Sequence, residues 1–369
     1  MKTNVHVRKE LLFRAYLLLF VIHTTQTGVG IIGLPRVVFL ETEQDSWIVI
    51  LLSGIVVSLS VAAIVMTMRQ YSSADLYGIH VDIFKKWLGN LLNIIYIVYL
   101  IYMLNVIALN YTELVQAWIF QTLPNFILVS MLMALSVYGV LGGVRVVVGV
   151  CFIGFLLAFW IVFIIYTPMQ NLSPLHFYPM VDHNAKEFFN GIIKVTLSIL
   201  GFEVLFFIYP FIKDKDKVLK HSLLSIWFTT ILFALVTAIS IGFFAPEALK
   251  RIIWPVLSMF KIVKLPFLER FEFIAVSFWM LIILPNLCVY LWCASRGIKR
   301  VFGLKQTKAS IIIALLSIAS SNFIPSRIDM NMFTDYAARI GIVLAILYPI
   351  LLYVIVKIVK SLRKRRNAS

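Results

Sequence analysis

Charged residues are scarce in this sequence. Only 14% of its 369 residues are Asp, Glu, Lys or Arg, whereas 61% are hydrophobic. Soluble domains carry about 25% charged residues and about 45–50% apolar ones. Composition therefore excludes an ordinary soluble domain and predicts an integral membrane protein.

Cysteine is also scarce. The three cysteines, Cys151, Cys288 and Cys293, fall inside apolar stretches, and their spacing fits neither a disulfide framework nor a zinc site. The sequence shows no Ser/His or Cys/His pairing, no group of metal ligands and no phosphate-binding loop. We therefore expect no metal, no cofactor and no enzymatic activity.

Long apolar runs are abundant. A membrane-spanning helix needs about 20 mostly apolar residues, and these runs lack the alternation of barrel strands. The predicted fold class is all-α integral membrane, with about ten transmembrane helices in a single domain over residues 1–369. The predicted spans are 11–40, 46–67, 90–120, 126–141, 146–166, 188–212, 219–244, 271–295, 310–323 and 336–356.

Basic residues give the chain a net charge of +16. If the N-terminus is cytoplasmic, most of them fall on the cytoplasmic side of the predicted spans, which is the positive-inside pattern. This pattern predicts that both termini are cytoplasmic. The basic tail, residues 357–369, is interpreted as an anchor on anionic membrane lipid, with a cytosolic docking site as the alternative. Nucleic-acid binding is not expected.

Two of the predicted spans are interrupted at their centres by polar residues and glycine. The first span contains Thr27-Gly28-Val29-Gly30-Ile31, and the sixth contains Leu200-Gly201-Phe202-Glu203. Glycine-interrupted spans at corresponding positions of two halves indicate a transporter-type binding site at the bilayer midplane. We predict that these nine residues form the ligand site.

The chemistry of the two breaks differs. After Gly30 the helix resumes, so its free N–H groups and partial positive charge suit a carboxylate. Glu203 is an acid near mid-membrane, which is a candidate functional residue by default. It could meet a ligand ammonium, carry a proton, or pair with a cation of another span, and the sequence leaves these alternatives open.

Five spans per half is an odd number, so two halves of the same build lie in opposite orientations. We predict a 5+5 inverted repeat, with residues 11–166 and 188–356 as its halves and broken helices one and six facing each other. Between spans seven and eight, residues 245–270 form an extracellular amphipathic segment. It is predicted to cover the outer vestibule as a lid or, alternatively, to lie on lipid.

Several motifs resemble a known family. Gly28-Val29-Gly30-Ile31 and Gly201-Phe202-Glu203 resemble the two helix breaks of the amino acid/polyamine/organocation (APC) transporter superfamily. More specific motifs resemble the B subunit of endospore germinant receptors. These are Gly33-Leu34-Pro35-Arg36, Ala245-Pro246-Glu247, Ile253-Trp254-Pro255 and Leu268-Glu269-Arg270-Phe271-Glu272.

The resemblance implies a LeuT-like, amino-acid-permease-like subunit in the spore inner membrane. It would act with a larger A subunit and a lipoprotein C subunit, and would recognise a small nutrient such as an amino acid. Span five contains no lysine that could replace a coupling cation, and Ser277 is the one candidate oxygen ligand noted on span eight. We therefore predict a germinant sensor, with a proton- or sodium-coupled amino acid transporter as the alternative.

Overall fold

The computed structural model describes residues 3–263, 270–323 and 327–366. Helices dominate this part of the chain, and they are numbered here in chain order. They are α1 (Leu18–Gln26), α2 (Gly30–Thr42), α3 (Ser46–Met68), α4 (Leu76–Trp118), α5 (Asn125–Leu141), α6 (Val144–Ala158), α7 (Ile161–Ile164), α8 (Tyr166–Met169), α9 (Ala185–Ile199), α10 (Leu205–Ile208), α11 (Val218–Phe243), α12 (Pro246–Arg251), α13 (Pro255–Phe260), α14 (Phe271–Phe302), α15 (Gln306–Ser320), α16 (Arg327–Gly341) and α17 (Tyr348–Arg366).

The all-α prediction is confirmed, and the chain is an integral membrane protein. Six helical stretches of the described residues are long and apolar enough to cross a membrane. Shorter helices and broken helices occupy the other predicted spans. The count of ten crossings and the 5+5 inverted repeat remain predictions.

Small residues let the long helices approach each other. On α3, Gly54 faces Thr230 of α11, and a Cβ added at Gly54 would lie only 2.9 Å from Thr230 Oγ1. On α6, Gly154 packs against Pro285 of α14 in the same manner, with 2.7 Å to its Cγ. In lipid, helices associate largely through close packing of their backbones, because transfer of apolar surface from lipid to protein gives no hydrophobic gain in free energy.

Helix α4 is kinked near its start. Lys85 has φ 62° and ψ 172°, which are not helical values. The turns before it begin at Asp75, whose side chain accepts a hydrogen bond from Gly78 N at 3.0 Å. This explains why the sequence predicted only residues 90–120 as the span, since the preceding turns form a separate polar helix.

The two chain ends meet on one face of the molecule. Asn4 forms a bridge with Ala74, and Phe13 forms one with Ile212. Arg363 of α17 pairs with Asp82 at 3.0 Å. We call the face that carries Asn4, Ala74, Asp82 and Arg363 the basic face. The described part of the chain therefore begins and ends on the same face of the molecule, and the cytoplasmic location of both termini stays a prediction.

A buried ion-pair cluster holds the basic face together. The Asp75 carboxylate is fully buried and lies 3.0 Å from Arg300 Nη2 and 3.4 Å from Arg296 Nη2. The Arg296 guanidinium also stacks on Phe211, 4.7 Å from the ring centre. These contacts join the start of α4, the end of α14 and the segment that follows α10.

The segment after α11 forms two short helices rather than one. Helix α12 ends at Arg251, and α13 begins at Pro255, the first residue of its first turn. The residue before a proline is disfavoured in the helical conformation, which explains the break at Trp254. Leu249 and Leu257 are fully buried, so both helices pack on protein. Residues 264–269 of the predicted segment 245–270 lie outside the described residues, as do 367–369 of the basic tail.

Candidate functional site

A central cavity of about 570 Å³ lies beside both helix breaks. Helices α1, α2, α4, α9, α14 and α16 contribute to its walls. One end is uncharged and includes Gln26, Asn286 and Tyr290, and we call it the floor. The other end, the mouth, carries charged residues and the turn between α12 and α13. The charged mouth residues are Arg36, Glu41, Glu113, Lys194, Asp335 and Arg339.

The ends of the two broken helices bond directly to each other. Gln26 Nε2 donates to Ile199 O at 2.7 Å. The Thr25 hydroxyl shares its one proton among Val21 O, Ile22 O and, across the two breaks, Gly201 O, at 2.9, 3.0 and 3.1 Å. Asn286 Nδ2 of α14 donates to Thr25 O at 3.2 Å. Backbone carbonyls freed by a break cannot turn to water inside a bilayer. Side chains of the opposite break and of α14 therefore replace the missing helical hydrogen bonds.

Gly201 is required by geometry. Its φ is 118°, which L side chains rarely adopt, and a Cβ there would overlap Thr25 O and lie 2.9 Å from Gln26 N. Because both neighbours are backbone atoms, they cannot move aside cheaply. The glycine thus allows the two breaks to touch.

We predict that Gly201→Ala destabilises the protein more than Gly303→Ala. Gly303 also has a positive φ, 76°, but a Cβ there meets nothing within 4 Å. The control variant should lose about 1–2 kcal/mol from the left-handed conformation alone, and Gly201→Ala should lose about 1–3 kcal/mol more from overpacking. Thermal unfolding of detergent-solubilised protein measures the difference, and equal losses would contradict the close contact.

Glu203 is fully buried behind the cavity wall. Its Oε1 accepts hydrogen bonds from Tyr99 Oη and Tyr290 Oη, both at 2.9 Å, and its Oε2 accepts one from Gly201 N at 2.8 Å. Among the described ion pairs none includes Glu203. The carboxyl group therefore holds the second break to α4 and α14, and its predicted roles toward a ligand ammonium, a proton or a cation stay predictions.

Glu203→Gln should reduce stability by about 1–3 kcal/mol, the cost of an unsatisfied buried polar group. Glutamine keeps one acceptor oxygen but turns an NH2 group toward at least one of the three donors. Thermal unfolding tests this, with Tyr99→Phe as the variant that removes a single donor. Unchanged stability together with lost nutrient binding would instead make Glu203 a ligand residue.

The nine predicted site residues separate into three groups. The central cavity is lined by Gly28, Val29, Gly30 and Leu200. A second, smaller cavity on the other side of the first break is lined by Thr27 and Ile31. Neither of these two cavities is lined by Gly201, Phe202 or Glu203. Their membership of the ligand site stays a prediction.

Gly28 and Gly30 have different roles in the first break. A Cβ at Gly28 would meet Asn286 Nδ2 at 3.8 Å, an ordinary contact on the cavity side. A Cβ at Gly30 would lie 2.8 Å from Ser198 Oγ and 3.4 Å from Ser198 Cα. Gly30 thus lets α2 pack on α9, whereas Gly28 leaves room in the cavity.

The sequence-based analysis missed Gln26 and Asn286. They are only 4% and 1% exposed, and both line the floor. Their NH2 groups donate to backbone carbonyls, but Gln26 Oε1 and Asn286 Oδ1 have no hydrogen-bond partner. On α14 the signal available in the sequence was Asn286 itself, a polar residue in the middle of an apolar span. Ser277, the residue noted there, is exposed and donates to Phe273 O.

Two interrupted helices around a central cavity define a transporter-type membrane fold. A solved structure with this fold is similar: the nucleobase-cation-symport-1 family transporter Mhp1, in a closed conformation with bromovinylhydantoin bound. The TM-score is 0.50 at 14% sequence identity, and the match covers 93% of this chain and 79% of that one. At this identity the likeness concerns the fold alone.

A family model described as spore germination protein matches residues 14–330. The chain therefore belongs to the spore germination permease family, which confirms the resemblance found in its motifs. Spore germination protein GerQB of Bacillus cereus is 33% identical over 340 residues, covering 92% of this chain and 94% of the relative. Spore germination protein A2 of Bacillus subtilis (strain 168) is 23% identical over 346 residues, covering 91% and 93%.

Proposed function

We propose that this chain is the nutrient-sensing membrane subunit of a spore germinant receptor and has no enzymatic activity. It binds a small amino-acid-like ligand in the central cavity and signals by a conformational shift. The observation that carries the proposal is that Gln26 and Asn286 line the cavity floor and that the amide oxygen of each, Gln26 Oε1 and Asn286 Oδ1, is buried without a hydrogen-bond partner.

A ligand that donates hydrogen bonds would satisfy these two oxygens. A buried acceptor without a partner costs about 1–3 kcal/mol. Their orientation is fixed, because the NH2 group of each amide already donates to a backbone carbonyl. An α-ammonium group has three donors and suits two neutral acceptors.

The start of α2 supplies complementary donors. Helix α2 begins at Gly30 and runs for 13 residues, and Gly28, Val29 and Gly30 line the same cavity as the two amide oxygens. The first N–H groups of a helix have no intrahelical partner and favour a carboxylate. Acceptors beside donors suit a zwitterion such as an α-amino acid.

Apolar side chains line part of the same cavity. Met103, Val106, Leu200 and Ile342 contribute to its wall. Such a wall accommodates a hydrocarbon side chain without leaving polar atoms unpaired. The proposed ligand class is therefore an amino acid whose side chain is apolar.

The basic face supports sensing over continuous transport. Release of a transported ligand on the basic face would require separation of the elements that are joined through Asp75, Arg296 and Arg300. Breaking a buried ion pair is strongly unfavourable. The runner-up, a proton- or sodium-coupled amino acid transporter, is favoured by the fold likeness to a symporter.

The family also suggests partners and location. We propose that the chain acts with a receptor A subunit and a lipoprotein C subunit in the spore inner membrane, with both termini cytoplasmic. The support is that its relatives are named as spore germination proteins. Purified protein in vesicles separates the two functions: saturable binding without flux supports the sensor, and gradient-driven accumulation supports the transporter.

Asn286→Ala should weaken amino acid binding by about 1–3 kcal/mol, because it removes one acceptor from the ammonium. It should have much less effect on an analogue of the same acid that lacks the amino group. Equilibrium binding to purified protein, after a screen of the twenty amino acids, measures both affinities.

A buried asparagine elsewhere in the membrane region provides the control. Asn105 donates to Ile101 O on its own helix, and its side chain lines neither cavity. Asn105→Ala should bind both compounds like the unaltered protein. Equal losses for the amino acid and its deaminated analogue in Asn286→Ala would overturn the ammonium site.

The turn between α12 and α13 is proposed to act as a lid. Ile253 and Trp254 line the cavity mouth, and Arg36 Nε holds the turn by donating to Lys250 O at 2.8 Å. A cysteine at Ile253, in a background without the native cysteines, should lose accessibility to a membrane-impermeant thiol reagent when nutrient binds. A cysteine at the exposed Glu247 is the control. Indifference of position 253 to nutrient would discard the lid.

A further inference from the structure

A second cavity lies on the far side of the first helix break. This lateral cavity has a volume of about 70 Å³. Spans five, seven and eight surround it together with α1, α2 and α13. Thr27 and Ile31 line it, while Gly28 and Gly30 between them line the central cavity. A single helix break thus separates the two spaces.

The lining of the lateral cavity disfavours bound water. Its walls are mainly aromatic and aliphatic, including Phe155, Phe159 and Val162. The polar residues of the wall already have partners within the protein. His23 Nδ1 lies 2.9 Å from Thr229 Oγ1 and 3.4 Å from Thr27 Oγ1, Thr24 Oγ1 donates to Phe20 O, and Trp279 Nε1 donates to Gly28 O at 3.3 Å. A buried water needs 2–4 polar partners, and these groups are occupied.

The cavity is reached from the lipid side. Phe155, Phe159 and Val162 are only partly buried. The residues next to them are apolar and point outward, with Leu157 at 49% and Phe163 at 67% exposure. Across the cavity, α11 exposes Leu235. In a membrane these surfaces contact acyl chains.

We propose that the lateral cavity is a binding site for the end of a lipid acyl chain. An empty apolar space forfeits the dispersion contacts of its lining, and hydrocarbon is the neighbouring material that restores them. The volume exceeds the roughly 10–15 Å³ that one water requires and is about half of the roughly 150 Å³ that holds benzene. It therefore suits the narrow end of a chain.

Occupation has a mechanical consequence. An acyl chain that fills the lateral cavity contacts Thr27 and Ile31 on the side opposite the central cavity. The first break then cannot shift toward spans five and seven without expelling the acyl chain. The lipid thereby stabilises the conformation in which the central cavity is formed. This inference is independent of which nutrient the central cavity takes.

The test uses a phosphatidylglycerol with a photoreactive diazirine at the end of one acyl chain. It is mixed into phosphatidylglycerol vesicles that contain the full-length protein. After irradiation, mass spectrometry locates the adducts. We expect them on Phe155, Phe159 or Val162, in addition to the outward-facing Leu157 and Phe163.

A filled cavity provides the matched comparison. Ala158 lines the cavity and is buried, so Ala158→Phe should abolish the inward adducts and leave the outward ones. Leu156→Phe, on the exposed side of the same helix, should change neither set. If Ala158→Phe does not fold, Ala158→Leu replaces it. Adducts confined to outward-facing residues in the unaltered protein, or inward adducts that survive the filling, would overturn the proposal.

Discussion

The structure depends on one constraint: a helix that breaks inside a bilayer must satisfy its freed backbone groups within the protein. Here side chains of the first break supply donors for the second, and α14 supplies one for the first. Gln26 Nε2 donates to Ile199 O, the Thr25 hydroxyl lies 3.1 Å from Gly201 O, and Asn286 Nδ2 donates to Thr25 O. The breaks therefore form as a pair, and the glycine at position 201 is needed because the two backbones touch.

The same constraint shapes the floor of the central cavity, the proposed binding site. A carboxamide has a donor end and an acceptor end, and the broken backbone uses only the donor ends of Gln26 and Asn286. Their oxygens are left buried without a partner, and both residues line the cavity floor. In the proposed sensor, a ligand that donates hydrogen bonds completes this half-satisfied network, and its binding then stabilises the arrangement of the breaks.

The sequence could predict the membrane-protein class, the helical fold and the positions of both breaks. The length of the apolar runs and the glycines within them are local signals. The partners of the breaks could not be predicted. Tyr99 and Tyr290 reach Glu203 from distant spans, and no local pattern tells which face of a uniformly apolar helix turns inward. For the same reason the sequence left open whether Glu203 meets a ligand ammonium, carries a proton or pairs with a cation, and Asn286 was not singled out.

In the proposed sensor, Tyr290 connects ligand recognition to the second break. Its side chain lines the central cavity, and its hydroxyl donates to Glu203, which in turn accepts from Gly201 N. A ligand that displaces Tyr290 by a fraction of an ångström lengthens a bond to a buried carboxylate, where hydrogen bonds to charged groups contribute about 1.5–3 kcal/mol. That energy is comparable to typical coupling between sites, about 1–3 kcal/mol. Under the proposed function, one hydroxyl is therefore sufficient to transmit occupancy of the cavity to the backbone that joins the two broken helices.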